Sequence, residues 1–177
     1  MQDVIDYNGY EISIERDDCG ESPREWDTFG TMVCFHSRYR LGDEHEFSSP
    51  GEFEEYRREH DLVVLPLYLY DHSGLTMNTT GFRCPWDSGQ VGWIYADRET
   101  VKKEFGDDEE AARKCLVSEV ETFDQYLRGD VWGYVVTHRG RDIDSCWGFY
   151  GREDMLSQAR AAVDADMCEL VEDGQVA

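Results

Sequence analysis

The sequence predicts an α+β fold: a single domain over residues 1–177, with an antiparallel or mixed sheet and three to four helices. Three observations lead there. Some segments repeat apolar residues at every second position and others at every third or fourth, the periods of strand and helix. At 40% hydrophobic residues in 177, the chain has the apolar surface for a real core, since a chain of this size buries roughly 70% of its unfolded surface. No internal repeat, linker or low-complexity stretch interrupts it.

Residues 10–15 alternate Tyr10, Ile12 and Ile14 with Glu11, Ser13 and Glu15, as a half-buried strand does. Residues 17–27 collect Asp, Gly, Ser and Pro and read as a loop, after which residues 31–36 resume a β-prone run. The two strands are expected to pair like a hairpin. Ser49, Pro50 and Glu52 make a capping-box signature that opens a short helix ending near His60. Residues 62–70 form a near-continuous apolar run, a buried strand that Pro66 places at an edge or a bulge. Residues 91–95 are the next strand, and Asp97 caps a short helix that Gly106 ends.

From residue 108 to 128, Ala112, Leu116, Val120, Phe123 and Leu127 recur at spacings of three and four, with acids in the first turn and Gly129 as the stop. Residues 131–138 and 143–150 read as a hairpin joined through Arg139, Gly140, Arg141 and Asp142. Residues 152 to about 167 form the last helix, with a tail expected to fray from about 169.

Charge is the outlying property. Against 39 Asp and Glu stand 17 Lys and Arg, a formal −22 at pH 7. Such a chain repels DNA, RNA and anionic membranes and favours a cationic partner. Residues 1–60 carry 16 acids and 6 bases, residues 61–106 carry 6 and 4, and residues 107–177 carry 17 and 7, so the acidity flanks the middle of the chain. For scale, about 22 phosphate charges correspond to roughly 11 base pairs and about 37 Å of duplex, against a domain diameter of about 40 Å. The density is sufficient for imitation of nucleic acid if the acids share a face. A compositional origin also fits, since the chain has three lysines against fourteen arginines and an acid-rich surface keeps a protein soluble in salt.

The six cysteines (Cys19, Cys34, Cys84, Cys115, Cys146, Cys168) show no CxxC spacing, and the N-terminal residues have no secretory pattern, so reduced thiols in the cytoplasm of a host cell are expected. No run of 18 apolar residues exists to span a membrane.

Residues 65–96 hold the densest set of aromatic, glycine and reactive side chains. Asp71, His72 and Ser73 are adjacent, but neighbours on an extended chain point to opposite faces and cannot line up as a hydrolase triad. A turn is expected instead, with Asp71 and Ser73 bonding backbone amides and Gly74 permitting the bend. Cys84 would need a base such as His72 to act as a nucleophile, and His72, Cys84 and Asp87 are the minority candidates for catalysis; no local signature of a known cysteine hydrolase surrounds them. Trp86 and Trp93 read as core or loop-packing residues. Cys34 and His36, two apart on one strand face, are the minority metal candidates together with Cys84, Cys146 or His72, although zinc sites usually carry two such pairs. The acids at 107–110 read as a helix start, not a calcium loop. No cofactor is expected.

Taken together, ESPREWDTFGTMVCFH, LPLYLYDHSG, CPWDSGQVGWIY, ETFDQYLRGDVWGY and DSCWGFYG resemble a family of small, mostly uncharacterised proteins carried by bacteriophages, plasmids and related mobile elements, over about residues 12–151. In size and acidity, though not in motifs, the chain is also similar to antirestriction and anti-CRISPR proteins that imitate DNA. The family resemblance brings no activity with it; the net −22, concentrated outside the central stretch, with that likeness in character to DNA mimics, leads to the expectation of a non-enzymatic protein that binds and inhibits a basic nucleic-acid-handling host protein. The expected phosphate mimics are Glu52, Glu54, Glu55 and Glu59 with Asp107, Asp108, Glu109, Glu110, Glu119, Glu121 and Asp124. Two alternatives stand beside it: an enzyme or metal protein using the central His, Cys and Asp, and an interaction module that docks through aromatic loops.

Overall fold

The computed structural model describes residues 3–172 and is α+β, with eight strands and four helices among those residues. In chain order the elements are β1 (Asp3–Tyr7), β2 (Tyr10–Arg16), β3 (Thr31–Cys34), α1 (Pro50–Glu59), β4 (Leu62–Asp71), β5 (Leu75–Asn78), β6 (Ser88–Asp97), α2 (Arg98–Phe105), α3 (Glu109–Leu127), β7 (Val131–His138), β8 (Arg141–Tyr150) and α4 (Arg152–Glu172). The strands form two antiparallel sheets, in the orders β1-β2-β7-β8 and β3-β6-β4-β5. The chain divides into two compact units: a terminal unit of Met1–Glu21 with Gly129–Ala177, and a central unit of Ser22–Arg128.

In the terminal unit, Asn8 and Gly9 both take left-handed φ (54° and 81°), the turn that matches the twist of a hairpin and closes β1 onto β2. The alternation in β2 buries Tyr10, Ile12 and Ile14 beside Tyr134 and Val136 of β7, and Met155, Ala159 and Val163 of α4 close over them at four-residue spacing. Arg139 and Gly140 (φ 50° and 74°) make a two-residue turn between β7 and β8, shorter than the four-residue link expected. Helix α4 continues through Glu172, past the point where fraying was expected; residues 173–177 lie outside the described residues.

In the central unit the sheet is covered on both faces. Ala112, Leu116, Val120 and Phe123 of α3 pack on Met32, Val63, Leu67, Leu69, Met77, Ile94 and Ala96. On the opposite face Phe53 of α1 stacks on Trp93 at 4.9 Å and buries Val33. Two caps are those the sequence announced, Ser49 accepting the Glu52 amide and Asp97 that of Thr100; Asp108, expected inside the helix, caps α3 by accepting the Ala111 amide. Glu52 reaches back one residue further than a standard capping box, to the amide and hydroxyl of Ser48.

Strands β2 and β3 do not form the expected hairpin. Strand β2 pairs with β1 and β7, and β3 pairs with β6 in the other sheet. Pro66 lies within a central strand, pairing with Trp93 on the β6 side, while β5 takes up β4 only from Tyr68 onward. The missing amide of Pro66 therefore costs no ladder bond on the β5 side, and the irregularity it announced falls one residue later, between Leu67 and Tyr68. Among the described residues, no helix is long and apolar enough to cross a membrane.

Candidate functional site

The reactive residues of the central stretch do meet. Asp71 pairs with Leu75, leaving His72 to Gly74 as the turn between β4 and β5, and the left-handed residue is Ser73 (φ 59°), not Gly74. Asp71 receives the Arg38 guanidinium (3.3 Å) and the Tyr39 hydroxyl (3.4 Å), not the backbone amides expected. The Oδ2 of Asp87 lies 3.3 Å from His72 Nδ1 and 3.6 Å from Cys84 Sγ. His72, Cys84 and Asp87 are thus neighbours, but the carboxylate stands in the middle. A nucleophilic thiol needs a base that takes its proton; here the thiol's hydrogen-bond partner is Asp87, and His72 is 62% exposed at the rim. The Ser88 hydroxyl closes the loop on the Cys84 carbonyl. The arrangement fastens a loop. Beside it Trp86 is 91% exposed, so the expected packing role fails for Trp86 and holds for Trp93, which is 8% exposed.

The metal candidates are not brought together. Strand β3 ends at Cys34, so His36 lies beyond it and not on the same strand face. His36 Nδ1 already accepts the amides of Arg38 and Tyr39. Burial, and then Asp43 nearby, pushes the Cys34 thiol up to about 12. Cys84 belongs to the loop above, and Cys146 lies on β8 of the terminal unit. Among the described residues, no three His, Cys, Asp or Glu side chains group to hold a metal ion.

A cluster that sequence reasoning missed organises the central unit. Arg24, with its side chain 4% exposed, forks onto Asp43 (2.6 and 2.8 Å) and reaches Glu119 (3.0 Å). Glu119 also accepts the amides of Phe29 and Gly30, and Asp43 that of Met32. Burial opposes the charge of Arg24, but the two carboxylates outweigh it and hold the guanidinium above its usual range. Glu119 is therefore an internal anchor. Asp124 is another, accepting the Met77 amide (2.8 Å) and pairing with Arg128 (2.9 Å). Neither is available as a phosphate mimic.

Several of the remaining candidates have local partners too: Glu54 with Arg57, Glu109 with Arg98 and Arg113, Glu110 with Lys114, and Glu52 and Asp108 as caps. Glu55, Glu59, Asp107 and Glu121 are exposed, and among the described residues no ion pair joins them.

The terminal unit treats its acids differently. Tyr7 and Tyr10 donate to Asp164 (3.4 Å) and Asp166 (2.7 Å), and Tyr134 to Asp144 (2.6 Å). These donors are neutral, so the carboxylates are oriented and keep their charge. The unit carries 17 acids against 5 bases, a formal −12, while the central unit carries 22 against 12, a formal −10.

By fold and surface the chain defines an acidic α+β protein built on two antiparallel sheets. No known family's sequence profile, no curated protein and no solved structure matches it.

Proposed function

We propose that the protein is a non-catalytic acidic binder of the kind carried by mobile elements, which occupies the basic nucleic-acid-binding surface of a host defence protein. One observation carries this: in the terminal unit 17 acids face 5 bases, and Asp144, Asp164 and Asp166 are held by tyrosine hydroxyls that fix them without cancelling their charge. A groove that recognises phosphates by Lys and Arg takes fixed, unneutralised carboxylates by the same Coulombic attraction. The central unit's α1 and α3 acids, many already paired, contribute less.

The test is titration of the full chain against a DNA-directed nuclease with and without competing duplex. Binding should be excluded by DNA and should weaken by at least about tenfold between 50 and 200 mM salt. Salt-insensitive binding, or none, overturns the proposal.

A second reading rests on Trp86, the most exposed large apolar side chain among the described residues at 91%. Exposed tryptophans are frequent anchors of protein interfaces. If the aromatic loop is the docking element, Trp86→Ala abolishes partner binding while its salt dependence stays shallow.

A further inference from the structure

The face of the terminal sheet opposite α4 carries its side chains in ordered rows. Residues paired across strands share a face and lie roughly 4.5–5.5 Å apart. Asp6 of β1 is directly opposite Glu11 of β2, Glu11 is opposite Thr137 of β7, and Thr137 is opposite Asp142 of β8. One row thus bears three carboxylates, two of them adjacent. Like charges directly opposed in a sheet destabilise it, and among the described residues no ion pair relieves Asp6 or Glu11.

Next comes a row of small and apolar residues, with Val4 52% exposed. Beyond it Trp147 is laid flat against the sheet by two features of the sequence. Trp147 and Gly148 both oppose Gly133 in a bulge, with Gly148 at φ 83°. Gly133 leaves the seat, since a Cβ there would stand 2.3 Å from the indole. Bulges re-aim side chains, and this one holds an indole that stays 44% exposed on an acidic face.

Resting on the acidic-binder reading above, we propose that this face is a second docking surface, apart from the α4 side that carries Asp144, Asp164 and Asp166, and that its occupant is an arginine-bearing segment of the partner protein. A guanidinium stacks on the exposed indole, which attracts planar cations through its quadrupole. Further cations of the same segment settle between Asp6, Glu11 and Asp142 and remove their repulsion. Lysine satisfies the carboxylates but stacks less well on the indole, so the face favours arginine.

The probes are an octa-arginine and an octa-lysine peptide, titrated into the full chain by calorimetry. Octa-arginine should bind about threefold more tightly. Trp147→Ala should erase that preference, Trp147→Phe should keep part of it, and Asp6→Asn with Glu11→Gln and Asp142→Asn should weaken both peptides by about tenfold. Glu55→Gln with Glu59→Gln on α1 should leave both almost unchanged. Because Trp147 also covers Gly133 and its removal can loosen the sheet, the triple acid variant is an independent arm. If both peptides bind the wild type but neither the indole nor the acid variants change them, or the α1 variant weakens them equally, the docking face is wrong and the acidic-binder proposal stands. If neither peptide binds the wild type, both fall.

Discussion

The two units use the same residue type for different ends. In the central unit carboxylates meet guanidinium groups and backbone amides: Asp43 and Glu119 hold Arg24, Glu109 joins Arg98 and Arg113, and Asp97 caps α2. In the terminal unit Asp144, Asp164 and Asp166 meet phenol hydroxyls, although Asp3 pairs with Arg152 and Asp17 accepts the Cys19 amide there, and Tyr39 gives its hydroxyl to Asp71 in the central unit. A carboxylate bonded to arginine is consumed in holding the fold, whereas one bonded to tyrosine is fixed in place and still negative to an approaching partner. Net charge alone, −12 against −10, understates the difference, because it counts acids without asking what each one touches.

The sharpest way to break the comparison is to remove the cation at the centre of the first arrangement. Arg24→Met leaves two carboxylates, 21% and 15% exposed, facing each other without the guanidinium between them. A half-removed buried pair costs about 3–5 kcal/mol, and urea unfolding should show that loss. Hydrogen exchange should rise at the amides of Phe29, Gly30 and Met32, which these carboxylates accept, while Ile12 and Val136 of the terminal sheet stay protected. A loss below about 1 kcal/mol would mean that the cluster is solvated and not structural.

The second test sets the units apart by pH. In the central unit, the Thr100 amide holds Asp97 below its ordinary 3.8, the Ser48 hydroxyl and amide hold Glu52 below 4.5, and Arg113 and Arg98 do the same for Glu109. These pKa values are depressed in the folded state, so the stabilisation is present above 3.8–4.5 and is lost as pH falls through the folded values. In the terminal unit the shift is upward: burial, and then the bond to Asp166, pushes Tyr10 from 10.0 to about 12, and burial with Asp144 raises Tyr134 as well. Stabilisation there is full below pH 10 and is lost as pH rises toward 12. Isoleucine methyl spectra should show Ile94 losing its native shift before Ile12 and Ile14 in acid; in alkali both units lose stabilisation, because burial also pushes Cys34 of the central unit from 9.0 up to about 12. If Ile12 and Ile14 lose their native shifts first in acid, or together with Ile94, the depressed carboxylates of the central unit do not set its acid stability.

The elements whose signals are local were legible. Helix α3 announced itself by its three- and four-residue spacing, an acidic first turn and a terminal glycine, and α1 and α2 by their caps. Strand β1 was missed although Asn8-Gly9 is the strongest short-range hairpin signal, because Asp3 to Tyr7 mixes acids and apolar residues too freely to alternate cleanly. Strand β5 has four residues, of which Met77 alone is buried. What could not be read is pairing at a distance: β2 finds β7 more than a hundred residues later, and periodicity names a buried face without naming its partner. The same holds for Arg24, Asp43 and Glu119, separated by 19 and 95 residues, each of which looks like a solvated charge in its own segment. For Glu119 a hint existed, since it lies three residues after Leu116 and one before Val120 on the helix's buried side. The seat of Trp147 had one as well: a glycine inside a strand marks a close approach, and Gly133 sits between Trp132 and Tyr134.

The smallest effect probes the terminal unit's most unusual contact, the unrelieved pair of Asp6 and Glu11. If the two carboxylates repel across the hairpin, Asp6→Asn keeps the side chain's size and removes one charge, so the free chain should gain stability, by about 0.2–1 kcal/mol. Salt should shrink the gain, because both groups are exposed and the Debye length falls from about 30 Å at 0.01 M to about 3 Å at 1 M. Urea unfolding of wild type and variant at those two salt concentrations measures both quantities. A variant that is less stable, or a gain that salt leaves untouched, would mean that Asp6 makes a favourable contact and that the face is not strained. A gain that salt erases would mean that the fold tolerates a repulsion which a bound cation relieves, and the same substitution should then weaken the binding of a cationic segment while stabilising the free protein. Opposite signs on stability and binding are the mark of a residue kept for what it meets from outside.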